Sequence, residues 1–282
     1  MERSIKRWWP IFVLPTALAF LIGFLIPFVM GLYLSFCDFT TLSNAVFVGF
    51  RNYVKAFSDA SGEFIHALWY TALFAFVSTV VVNVLALGLA LVLTRGFRGV
   101  NGFRTVFFMP NLIGGIVLGW VWQVLLNGLL ARRGLTLVTS EWYGFWGLML
   151  VVCWQQLGYM MIIYISGITA LSEDVLEAAA IDGATARQQF WHIKLPMLMP
   201  SVTVCTFLTL TNGFKLFDQN LALTNGMPGN RSQLLALNIY ATFYGRAGWA
   251  GAGQAKAVVF CLIVVSIALV QLRLTRSQEA NV

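Results

Sequence analysis

Charge is scarce in this sequence of 282 residues: Asp, Glu, Lys and Arg make up only 10% of it. An ordinary soluble domain carries roughly 25%. With 59% hydrophobic residues, there are too few polar side chains to cover a water-facing surface, so the solvent must be lipid. Cysteine is equally sparse. Cys37, Cys153, Cys205 and Cys261 stand far apart, in or beside apolar runs and without CxxC spacing, and read as small hydrophobes. The two histidines, His66 and His192, are isolated, which argues against a metal cluster. No GxxxxGK[ST] loop is present and no lysine precedes Ser or Thr, so the phosphate cradle of an ATPase is missing. Catalysis is not expected in this chain.

The net charge of +7 raises the question of nucleic acid. The basic residues sit at the ends of apolar runs and not in one stripe, which is the pattern of membrane orientation. Six such runs are expected as spans, at about 9–36, 64–94, 106–126, 144–169, 200–221 and 257–272, in a single domain over 1–282. The first follows Arg3, Lys6 and Arg7 but is too long for a signal peptide. More apolar sequence also follows its Ala17-Leu18-Ala19 triplet, so it is read as retained. The fold class is therefore an all-α polytopic membrane protein. With the N-terminus inside, Arg3, Lys6, Arg7, Arg95, Arg98, Arg104, Arg187, Lys194, Arg273 and Arg276 are cytoplasmic. Arg51, Lys55, Arg132, Arg133, Arg231 and Arg246 are then outside. The inner excess places both termini in the cytoplasm.

The segment 172–196 is neither short nor merely polar. Ser172 suits a helix N-cap, Glu173 and Asp174 favour the positive end of the dipole, and Ala178, Ala179 and Ala180 propagate the helix. Gly183 suits the position just past its end. A second helix signal starts at Thr185, with Gln188 three residues on, and is expected to stop before Pro196. On composition alone a plain connector beneath the membrane is one of the readings open to this pair.

Its specific residues say more. Glu177-Ala178-Ala179-Ala180-Ile181-Asp182-Gly183-Ala184, followed by Ile193-Lys194-Leu195-Pro196, resembles the EAA signature of the inner-membrane subunits of ATP-binding-cassette (ABC) importers. Phe103-Arg104-Thr105 with Pro110, Trp154 to Tyr159, Phe214-Lys215-Leu216-Phe217-Asp218 and Thr224-Asn225-Gly226-Met227-Pro228 are similar to the sugar-permease branch, of the maltose and multiple-sugar first-permease type. The resemblance implies six transmembrane helices of the type I importer permease kind, with a cytoplasmic coupling-helix loop. It implies that Glu177, Ala178, Ala179, Asp182 and Gly183 meet an ATPase subunit. It also implies a second homologous permease, two ATPase subunits and an extracellular or periplasmic solute-binding protein as partners, in the cytoplasmic membrane of a prokaryote. No cofactor is then expected in this chain, because ATP and magnesium belong to the ATPase partners. No nucleic acid is expected.

A polar side chain within lipid is expensive, so each one is a candidate for the pathway. Gln155 and Gln156 fall near the middle of the fourth run, with Tyr159 on the same helical surface. Amides and a phenol suit a hydroxyl-rich sugar. The alternative is that the glutamines only bind neighbouring helices. In the fifth run Asn212, Lys215 and Gln219 recur at spacings of three and four. The resemblance adds Asn212, Gly213 and Lys215 to the cavity lining; Lys215 either meets substrate or pairs with Asp218. Asn83 and Gln123 are expected to make helix contacts. The outer segments 38–63 and 224–246 are candidates for a binding protein's footprint. Two other functions fit less well: a permease of the same architecture for another polar solute such as glycerol phosphate, and an ion-coupled secondary transporter. The latter normally needs intramembrane acids or an inverted repeat, and Asp218 is the only acid near a span interior.

Overall fold

A backbone without water must bond to itself, and apolar runs in lipid therefore coil into helices. The computed structural model describes residue 11, residues 13–59 and residues 61–279. The basic cluster Arg3, Lys6 and Arg7 and the start of the first expected span lie outside them. Among the described residues four helices are long and apolar enough to cross a bilayer: α1 (Val13–Leu34), α3 (Glu63–Leu93), α6 (Glu141–Thr169) and α12 (Ala250–Glu279, apolar to Gln271).

The two remaining expected spans are bent. The run expected over 106–126 is not one helix: Val100–Leu112, which begins as α4 (Val100–Phe108), turns 102° into α5 (Gly115–Ala131). Pro110 lies in a tight turn, and Ile113 is extended, with φ −86° and ψ 130°. The run expected over 200–221 breaks as well. α8 (Ala186–Met197) bends 66° into α9 (Met199–Lys215), which stops at extended Leu216. The short α10 (Asp218–Leu223) follows. α7 (Glu173–Ile181) precedes α8, and α11 (Leu235–Gly245) occupies part of the expected outer segment 224–246. The expected outer segment 38–63 is also structured. It holds a two-stranded antiparallel hairpin, β1 (Cys37–Asp38) and β2 (Val46–Phe47), with Cys37 opposite Phe47, and then α2 (Arg51–Phe57).

The described residues form two compact units. One comprises the residues up to Phe64 with Ile239–Leu262. In it the buried Asn52 amide donates to the Ser35 and Cys37 carbonyls, at 3.0 and 2.7 Å, and so holds the hairpin to α2. The Arg246 guanidinium bonds Asp59 at 2.9 Å and also Glu63. Trp249 carries two cations, with Lys55 Nζ 4.2 Å and the Arg246 guanidinium 5.2 Å from its ring centre. Burial alone would raise the Asp59 carboxyl, but donors from Arg246 and Ser61 outweigh it and hold that group below the ordinary aspartate value.

The other unit comprises Ile65–Asn238 and the described residues from Ile263 onward. Its core follows α6, where Leu148, Val151, Val152, Met160, Met161 and Tyr164 are buried with Phe74 and Val82 of α3. Asn83 is the polar rivet of this core. Its amide nitrogen donates to Thr209 Oγ1 at 2.9 Å and its carbonyl accepts from Tyr164 Oη at 2.7 Å, tying α3 to α9 and α6. Gln123 of α5 donates to the Leu223 carbonyl at 3.0 Å. Both residues make the helix contacts expected of them.

A polar cavity at two helix breaks and an alanine-rich helix pair

The two broken segments meet at one place. Asn111 from the turn after α4, Gln155 and Gln156 of α6, Asn212 and Lys215 from the last turn of α9, and Leu216 to Gln219 line a cavity of about 340 Å³. Non-helical backbone at membrane depth survives only where protein or a polar cavity satisfies it. Here the side chains do so. The Gln155 amide donates to the freed Ile113 carbonyl at 3.1 Å, and the Gln219 amide in turn donates to Gln155 Oε1. Gln155 is therefore fixed on both sides. Its neighbour is not: Gln156 Oε1 is buried and has no hydrogen-bond partner among the described residues.

Lys215 and Asp218 both line this cavity without forming an ion pair, so the pairing weighed from the sequence is not made. The break explains this. Lys215 sits in the last turn of α9, at the negative end of that helix, and Asp218 in the first turn of α10. Each charge thus lies at the helix end whose dipole favours it. The cavity thus presents amides, one ammonium and one carboxylate.

Six substrate-site residues were expected. Gln155, Gln156, Asn212 and Lys215 come together in the cavity. Tyr159 is 40% exposed on α6 and is not part of the lining. Gly213 is buried against α3, where a Cβ would lie 2.9 Å from the Ala75 Cα, so it serves close helix packing. Asn111 was not anticipated. Its signal was a polar residue directly after Pro110, at a helix break the apolar pattern does not reveal.

The second candidate site is the helix pair α7–α8. Ser172 occupies the N-cap of α7 as expected, although its side chain makes no capping bond. At the other end Gly183 adopts φ +82°, which a side chain disfavours. Gly183 N donates to Ala180 O at 3.1 Å and Ala184 N to Ala179 O at 2.9 Å, the paired bonds of a Schellman end. Thr185 opens α8 with a capping box to Gln188. The second helix does not stop before Pro196, as expected, but runs through it to Met197. A wider turn at Phe190–Lys194 precedes the proline, and the ring falls in the first turn of the segment beyond, where its missing N–H is tolerated. Glu177, Ala178, Asp182 and Gly183 are all exposed, and Ala179 is half-buried. The small side chains thus leave an open acidic surface.

Over residues 4–279 the chain matches the family of binding-protein-dependent transport system inner membrane components. It belongs to that family. This permease is 42% identical over 283 residues to the probable starch degradation products transport system permease AmyD of Thermoanaerobacterium thermosulfurigenes, covering 97% of this chain and 96% of that one. It is 30% identical to the multiple sugar-binding transport system permease MsmF of Streptococcus mutans, covering 97% of each. The crystal structure of a bacterial alginate ABC transporter, in complex with an alginate pentasaccharide-bound periplasmic protein, contains a chain similar in fold. That match has a TM-score of 0.81 at 21% identity and covers 98% of this chain and 97% of the other. The present permease is accordingly a multi-pass inner-membrane transport subunit with the type I importer fold.

Proposed function

We propose that this permease carries a carbohydrate, an oligosaccharide or related sugar, across the cytoplasmic membrane as part of an ATP-driven importer. The observation that carries the reading is the polar cavity at the two helix breaks. Amides from Asn111, Gln155, Gln156 and Asn212 converge there, and a sugar hydroxyl both donates to and accepts from such groups. The relatives named for starch products and multiple sugars support the substrate class. The cavity is at the small end of ligand pockets, which fits a half-site completed by a second permease subunit.

The same proposal assigns α7 to the ATPase subunits, with Glu177, Ala178, Ala179, Asp182 and Gly183 as the contact. Small side chains let a helix seat closely in a groove, and the carboxylates of Glu173, Asp174, Glu177 and Asp182 meet basic groups of a partner. ATP and magnesium bind those partners, which drive the spans between outward- and inward-open arrangements. A solute-binding protein delivers sugar from outside, and both termini face the cytoplasm.

One observation favours a second reading, an anionic solute such as glycerol phosphate: the Lys215 ammonium lines the cavity unpaired. Proteoliposomes holding the complete complex and its binding protein decide between the two. The expected result is sugar uptake that requires ATP, stops with vanadate and ignores ion gradients. Lys215→Ala lowers apparent sugar affinity several-fold in the first case and abolishes only anion uptake in the second. Uptake driven by an ion gradient alone would overturn the assignment.

A further inference from the structure

One side chain joins the two helix breaks. Gln155 Nε2 donates to the Ile113 carbonyl freed by the first, and its Oε1 accepts from the Gln219 amide of α10, just past the second. Gln219 is itself buried and wedged against the start of α5. At Gly115 an added Cβ would lie 2.8 Å from the Asp218 Cβ and 2.9 Å from the Gln219 amide nitrogen. The Gln155 amide is thus held at both ends, and its plane is set by the protein. Gln156 differs. Consecutive helical residues point about 100° apart, and Gln156 Oε1, buried beside the cavity, has no hydrogen-bond partner among the described residues. A buried acceptor left empty is costly, and a ligand that donates to it removes the cost.

We propose that these adjacent glutamines have separate roles: Gln155 is a positioning residue that locks the cavity wall across both breaks, and Gln156 Oε1 is the acceptor that selects a hydroxyl of the solute. This division deepens the carbohydrate reading above and rests on it. An ionised carboxylate or phosphate group has no hydrogen to give that oxygen, whereas every sugar hydroxyl has one. A site built around such an acceptor discriminates against an analogue that lacks the matching hydroxyl, because the acceptor is then left unpaired. A residue that only sets the wall has no such preference among analogues.

Ligand-observed NMR on the complete transporter in nanodiscs, without its binding protein, reads the cavity directly, with maltose and its monodeoxy derivatives as probes. At least one derivative is expected to bind roughly tenfold more weakly than maltose. Gln156→Leu abolishes that discrimination. Gln155→Leu and Gly115→Ala instead weaken maltose and every derivative by one common factor, so the discrimination persists. Its loss in Gln155→Leu, or its survival in Gln156→Leu, overturns the division of roles. Gln155→Glu gives a readout that needs no sugar. A protonated carboxyl there donates to the Ile113 carbonyl while accepting from Gln219, and an ionised one cannot donate. The unfolding temperature of this variant is therefore expected to fall as pH rises and the carboxyl ionises, and its maltose affinity to fall with it. The wild type is the control, since it carries the same facing charges, Lys215 of α9 and Asp218 of α10. An unfolding profile parallel to the wild type overturns the positioning role. Absence of maltose binding by the wild type, with the pH-dependent unfolding of Gln155→Glu intact, counts against the carbohydrate reading and supports the role of Gln155.

Discussion

Gly158 occupies a position that no other residue fits, because the α4 backbone lies against it. Gly158→Ala is expected to force α4 off α6, costing about 1–3 kcal/mol as an overpacked contact and lowering the unfolding temperature in detergent. Gly128→Ala, with open space around its Cβ, is the control that leaves it unlowered. Asp59 and Arg246 give a pH-dependent counterpart. Because the Asp59 carboxyl titrates lower in the folded chain, its contribution is fully present above the ordinary aspartate value near about pH 4. It is lost as pH falls through the folded value. Arg246→Met removes the guanidinium that holds Asp59 down. Thermal unfolding of that variant should therefore lose part of the wild type's sensitivity to acidification in this range. The residue scale was unevenly legible. Asn83 and Gln123 were recognisable as helix contacts because an isolated amide in an apolar run must find a partner. Asn111 was not, since its meaning depends on the bend after Pro110. Lys215 and Asp218 looked like a pair because one continuous helix would stack them, and the break at Leu216 separates them onto two helix ends.

At the scale of elements, the local signals that proved most informative were those fixed by short-range chemistry. Ser172, Gly183, Thr185 and Gln188 mark the ends of α7 and α8, because caps and left-handed turns are decided within a few residues. Hydropathy served less well for the third and fifth runs. An apolar window cannot distinguish a straight span from one that turns by 102° or 66°, and the freed carbonyl at Ile113 is repaired by Gln155, 42 residues away. Gly183→Asp tests the proposed role of α7. A carboxylate and a Cβ at φ +82° both disrupt the joint, so uptake should fall to background while the complex still assembles and binds its solute-binding protein. Full uptake by this variant would separate the helix pair from the ATPase.

For the molecule as a whole, composition alone dictated a lipid-embedded helical protein. The exposed surfaces show where that environment and its partners must lie. α1 buries none of its residues within the chain, so its apolar surface is completed by lipid or by another subunit. The sidedness argument from arginine and lysine placement is open to a direct check: cysteines introduced at Ser172 and at Asn225 should label from opposite sides of intact membranes. Finally, the link between α7 and α8 is only four residues long, Asp182 to Thr185; the first three amides are engaged by the helix it terminates and the fourth by Gln188 of the helix it opens. Such a hinge has no slack. A push on α7 meets no floppy tether and is handed on through α8 to the 66° elbow, which is what the proposed docking of an ATPase on α7 requires of the joint.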